Sequence, residues 1–183
     1  MERELNIFED MLVSASEQVG AQYFHLPVAD ADAAYRERVY CYELYHQLRC
    51  RWEDFPFSLG GEIDKSGHPH FRGGPYASAK PDFLVHIPGN MDRNLTCVEV
   101  KPIIRPVGEF TSDLQKLTWF CHNADYYRGI FLVYGADPSG RNRNELLHAN
   151  LQAAVEHGED IDRAVIHAFY HPDVGVPAQR IDL

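Results

Sequence analysis

What the sequence has little of narrows its class first. Only 4 cysteines occur in 183 residues, at Cys41, Cys50, Cys97 and Cys121, and no two form a CxxC pair. That spacing argues against an all-cysteine zinc site, and the number is too small for a disulfide scaffold at this size. The expectation is a reduced, cytoplasmic protein with three of the four thiols in apolar surroundings, as small core side chains. Positive charge is also scarce, with 17 Lys and Arg against 27 Asp and Glu and a formal net charge of −10. Such a balance argues against whole-surface binding to nucleic acid or to an anionic membrane and leaves room only for a local basic groove. No apolar run approaches the ~20 residues that span a bilayer. The start, Met1-Glu2-Arg3-Glu4-Leu5, lacks the basic-then-apolar pattern of a secretory signal. No membrane partner is expected. GxSxG, the P-loop and the dinucleotide-binding glycine fingerprint are all missing, so serine-esterase, NTPase and nicotinamide chemistry have no support. There is no internal repeat and no low-complexity segment.

What is present suits one packed domain: hydrophobic residues make up 45% and charged residues 24%. A short helix is expected over about Leu5–Val19, stopped by Gly20. Asp30 or Asp32 can cap a second, longer one over about Ala33–Arg51. Tyr40, Leu44 and Leu48 give that helix an apolar stripe. Residues 1–32 thus read as an N-terminal helical extension, and 33–183 as the main domain. The segment from Asp54 to Lys80 is rich in glycine and proline, with a short strand over Leu59–Asp64 before a Lys65-Ser66-Gly67 turn. Its His68 and His70 have no third ligand at zinc-like spacing and read as a polar loop.

Two strand-like runs follow, 82–87 (DFLVHI) and 95–101 (LTCVEVK), separated by a turn-rich break. An antiparallel hairpin is expected, ended by Pro102 and Pro106. Next come a helix over Thr111–Ala124 capped by Thr111 or Ser112, a buried apolar strand over Arg128–Tyr134, a helix over Asn142–His157 and a last strand over Ala164–Tyr170. The fold class is α/β, a mixed β-sheet core flanked by helices in a single domain.

The chemistry concentrates in Pro81-Asp82 and Glu99-Val100-Lys101. Residues two apart on a strand share a face, so Glu99 and Lys101 point the same way. If Asp82 lies opposite Glu99, the hairpin register also sets His86 opposite Leu95. Two carboxylates and an ammonium then meet at one sheet end. Hard carboxylate oxygens favour Mg²⁺ or Mn²⁺, and the Val100 carbonyl can add a third oxygen. A bound divalent ion lowers the pKa of its water and stabilises charge on a phosphoryl oxygen, while Lys101 can orient that water or stabilise the pentacovalent anion. Hydrolysis of a phosphodiester is the expected reaction.

These residues, and the order of helix, hairpin, helix, strand and helix, resemble the PD-(D/E)XK nuclease superfamily with its restriction-endonuclease-like fold, over roughly Ala33 to Tyr170. The resemblance implies Asp82 and Glu99 as metal ligands with Val100, and Lys101 as the catalytic lysine. It also implies an acid on the first core helix, with Glu43 the first choice, Glu37 the second and Glu62, near the first strand, the third. A catalytic residue on the helix after the motif is implied too, at Gln115, with Lys116 beside it. The implied activity is Mg²⁺- or Mn²⁺-dependent cleavage of nucleic acid, with DNA preferred to RNA, as in restriction, repair or anti-phage defence. A homodimer or a protein partner would then supply the DNA affinity that an acidic chain lacks. The alternative is a non-catalytic subunit of a larger complex that keeps the fold and uses the charged cluster structurally. Tyr35, Tyr40, Tyr42 and Tyr45 read as core and rim rather than as a base-stacking platform.

Overall fold

A computed structural model describes residues 1–63, 75–76, 78–136 and 143–183, with residues 143 and 144 as backbone only. Asp64, the Lys65-Ser66-Gly67 turn, His68, His70 and Arg72 lie outside the described residues.

The chain opens with α1 (Glu2–Glu17) and the short α2 (Ala21–Phe24). A small antiparallel pair follows, β1 (Leu26–Val28) and β2 (Ala31–Ala34). Helix α3 spans Glu37–Arg49 and is flanked at its start by Arg36. The Asp30 and Asp32 expected as caps instead fall in the turn and strand of the β1–β2 pair, which the alanine-rich sequence did not announce. Strands β3 (Ser58–Gly61), β4 (Phe83–His86) and β5 (Asn94–Pro102) come next. Then come α4 (Val107–Asn123), β6 (Tyr126–Tyr134), α5 (Arg143–His157), β7 (Ile166–His171) and β8 (Gln179–Ile181).

The larger sheet runs β3-β4-β5-β6-β7-β8. Its centre is parallel, with β5 beside β6 and β6 beside β7. Each of those steps crosses through a helix, α4 and then α5, as parallel neighbours require. The remaining pairs are antiparallel. In the β4–β5 hairpin Phe83 faces Val98, Leu84 faces Cys97 and Val85 faces Thr96. This is the register that sets Asp82 against Glu99. It slips by one only at the far end, where a bulge pairs His86 with Asn94 rather than Leu95.

Period-two alternation splits the sheet side chains between two cores. Phe83, Val85, Val98, Val100, Ile130 and Leu132 pack under α1 and α3, while Leu84, Cys97, Phe131 and Val133 pack under α4 and α5. The first core takes in residues from the expected N-terminal extension: Leu5, Phe8, Leu12 and Ala15 of α1 are fully buried with Tyr40, Leu44 and Leu48 of α3. Those α1 positions are three and four apart, so one apolar stripe docks on the domain. On the other face Gly129 lets α4 lie close, since a β-carbon there would fall 2.9 Å from Leu117 Cβ. Two of the four cysteines, Cys41 and Cys97, are buried; Cys121 is half-buried and Cys50 exposed.

Candidate metal and catalytic centre

Alternation puts Cys97, Glu99 and Lys101 on the α4 side of β5. Cys97 sits in the apolar core, and the next two positions bring charge into it at the strand's C-terminal end. Glu99 is 3% exposed and Lys101 8%. Charges so buried are costly unless paired. Both are paired, by residues of two helices.

Lys101 Nζ lies 3.0 Å from Glu37 Oε2, at the first turn of α3, and 3.0 Å from Asp113 Oδ2, on α4. Glu109 Oε2 stands further off at 3.9 Å. Asp113 also meets Lys116, whose Nζ is 3.0 Å from its Oδ1 and 2.9 Å from Glu99 Oε1. The side chains therefore form a chain of alternating sign: Glu37, Lys101, Asp113, Lys116, Glu99. Asp82 closes the other side. Its Oδ2 accepts a 2.7 Å hydrogen bond from the backbone N–H of Val100, between Glu99 and Lys101. The sheet end thus gathers Asp82, Glu99 and Lys101 as the hairpin register implies.

The electrostatics are unbalanced toward negative. Glu37, Asp82, Glu99 and Asp113 face two ammonium groups, a formal excess of two negative charges. Burial pushes the Asp82 carboxyl up to about 7; the Val100 hydrogen bond opposes this, and Glu37 and Asp113 add to it. Burial also pushes Glu99 well above the carboxylate range, with Asp113 adding to the rise and Lys116 opposing it. Burial works against both lysine charges, yet the neighbouring carboxylates outweigh it and hold Lys101 and Lys116 above the ordinary lysine value. Only four lysines occur in the chain, and two of them stand here.

Three candidate positions fall outside the cluster, two of them for a helical reason. Glu43 is not in the cluster; it accepts a hydrogen bond from Gln47 Nε2 at 2.7 Å. Six residues turn a helix about 240° further round, so with Glu37 at the sheet end, Glu43 points elsewhere. Glu37, the second choice, is the α3 acid that reaches the cluster, at Lys101. Gln115 is also displaced. Its amide donates to the Glu159 carbonyl at 2.9 Å, because two residues from Asp113 is about 200° round the helix. Lys116, three from Asp113, shares its face. Glu62 is exposed and carries a fork-like pair with Arg38, at 3.0 and 3.2 Å.

Asp113 was missed as a site residue. The sequence placed the helix start near Thr111, which made Asp113 a first-turn charge, whereas α4 begins at Val107. The usable signal was its place among Phe110, Leu114 and Leu117, at the spacing of the buried stripe.

Among the described residues no group of three or more His, Cys, Asp and Glu side chains is arranged to hold a metal ion. Mg²⁺ does not require such a cage, since it is usually held by one or two carboxylates and keeps several waters. Two hard oxygen donors, Asp82 and Glu99, fit a divalent cation, whose charge would offset the cost of ionising them in this buried site. No helix among the described residues is long and apolar enough to cross a membrane. No family model matches the chain, and no curated protein matches it in sequence.

Proposed function

We propose that this chain is a metal-dependent nuclease of the PD-(D/E)XK type, hydrolysing phosphodiester bonds, with DNA the favoured substrate. The observation that carries the reading is the convergence of Asp82, Glu99 and Lys101 at one sheet end, joined there by Glu37 and Asp113. The antiparallel hairpin that bears the motif, followed by a helix and a parallel central strand, fits a restriction-endonuclease-like topology. Asp82 and Glu99, with the Val100 carbonyl, would hold Mg²⁺ or Mn²⁺, which when bound supplies an acidified water and charge stabilisation. Lys101 keeps its proton between Glu37 and Asp113 and presents fixed positive charge to the anion that develops on phosphorus. Asp113 positions Lys101 and Lys116 together. A homodimer contact or a protein partner would bring the nucleic-acid affinity that a net charge of −10 does not.

A second reading, a non-catalytic subunit with this fold, has one observation in its favour: the two lysines already engage Glu99 and Asp113, so the cluster can be purely structural. Cleavage of plasmid and single-stranded DNA by the purified chain separates the two. The nuclease reading expects cleavage in Mg²⁺ or Mn²⁺, none in EDTA, and a loss of at least about 100-fold in Asp82→Asn. In that variant the side-chain carbonyl can still accept from Val100, so the fold keeps its hydrogen bond. Absence of cleavage of any nucleic acid by the unaltered chain would favour the subunit.

A further inference from the structure

The proposed site has a second wall, on the α3 side of the sheet. There Cys41, Tyr42, Tyr45, Gly61, Asp82 and Phe83 line a cleft of about 370 Å³. Helical spacing builds it. Cys41 and Tyr45 lie one and two turns beyond Glu37, and Tyr42 lies one turn beyond Arg38. The face of α3 that delivers Glu37 to Lys101 therefore continues as Cys41 and Tyr45 beside Asp82, with Tyr42 on the adjoining row.

Three of the four tyrosines read from the sequence as core and rim are packed: Tyr35 lies edge-on to Tyr134 with ring centroids 5.7 Å apart. Tyr40 is fully buried and stacks on Tyr134 with ring centroids 3.9 Å apart. Tyr45 is half-buried, donates to the Leu59 carbonyl at 3.3 Å and lies against Phe83 at 6.3 Å. Tyr42 differs: it is 64% exposed, the most exposed of the large hydrophobic side chains among the described residues. An aromatic ring left in water at the lip of a cleft, with a floor of Phe83 and Tyr45, offers a π-face to a flat partner. Arg38 and Glu62 close the rim as an exposed ion pair.

We propose that this cleft takes an unpaired nucleobase stacked on Tyr42, so that the site acts on single-stranded or locally unpaired nucleic acid. The inference rests on the nuclease reading for the role of Asp82. Charge favours it over a duplex. Duplex binding draws its affinity from many neutralised phosphates, and a chain with ten more acids than bases is poorly supplied for that. Arg51, two residues beyond α3, is already tied to Gln47 and Ser14. Stacking draws affinity from the base instead and needs few cations. In a duplex the base faces are covered by their neighbours, and no ring is free to meet Tyr42.

The test is anisotropy of the full chain with fluorescein-labelled strands of roughly 12 nucleotides, in EDTA and again in Ca²⁺. The probes are single-stranded DNA, single-stranded RNA, the same DNA strand made abasic, and the DNA duplex. Cleavage in Mn²⁺ is followed in parallel. One single strand, DNA or RNA, is expected to bind at least about tenfold tighter than the duplex and the abasic strand. Tyr42→Ala is expected to weaken that binding by about 5- to 100-fold, the range of one lost base stack. Tyr42→Phe and Tyr42→Trp should stay within about twofold, because the ring face is what binds. Equal binding of native and abasic strands, tighter binding of the duplex, or unchanged affinity in Tyr42→Ala overturns the proposal. The binding pattern without any cleavage would leave the cleft standing and end the nuclease reading. Cleavage of single strands that ignores Tyr42→Ala would do the reverse.

Discussion

Lys101→Met is expected to reduce metal-dependent cleavage by at least about 100-fold and to destabilise the fold by about 3–5 kcal/mol. Both effects come from the same geometry. Methionine fills nearly the same volume but carries no charge and no donor. Glu37 and Asp113, each 3.0 Å from Lys101 Nζ, would then face one another across a buried site with their shared cation gone. Removing one partner of a buried pair is far more damaging than replacing the whole pair, because an uncompensated charge remains. Lys101→Arg separates the two effects. It restores the charge, so denaturation should return toward the unaltered midpoint. Cleavage should stay depressed, since the broad guanidinium cannot occupy the ammonium's place between two carboxylates. Urea denaturation and cleavage kinetics on the same samples check both.

The second large effect is on stability alone. Phe8→Ala is expected to cost about 3–5 kcal/mol, the range for a buried phenylalanine truncated to alanine. Phe8 is fully buried on α1 and meets Trp52 edge to face, with ring centroids 6.0 Å apart. A helix that merely preceded the domain would lose at most about 0.5 kcal/mol at such a position. Guanidinium denaturation gives the answer. A shift within that smaller range would mean that α1 does not close the first core.

The hairpin register was legible because it follows from two local facts: period-two alternation and a turn-rich break of fixed length. Once Asp82 is set opposite Glu99, Phe83, Leu84 and Val85 find Val98, Cys97 and Thr96 without further information. The helical residues of the site were harder. Glu37, not Glu43, reaches Lys101 because α3 starts after the β1–β2 pair, and a shift of the start rotates which acid meets the sheet. Lys116 rather than Gln115 enters the cluster for the same reason on α4. Residue type narrows the candidates on a helix, but the phase decides among them, and phase depends on where the chain enters the helix. The role of α1 was hidden differently. Its buried stripe of Leu5, Phe8, Leu12 and Ala15 is plain in the sequence, yet periodicity alone does not say which surface receives it. The last strand, β8, is three residues long, with two of them exposed, and carries no apolar run to mark it.

The central claim is that the sheet end is built for a divalent cation, and calorimetric titration of the purified chain with Mn²⁺ tests it most directly. One ion is expected to bind per chain, and that binding should be lost in Asp82→Asn while the denaturation midpoint holds or rises, since the neutral amide removes a buried charge. Absence of binding heat in the unaltered protein, or equal binding after Asp82→Asn, would contradict the account and leave the cluster of Glu37, Lys101, Asp113, Lys116 and Glu99 as a structural ion-pair network.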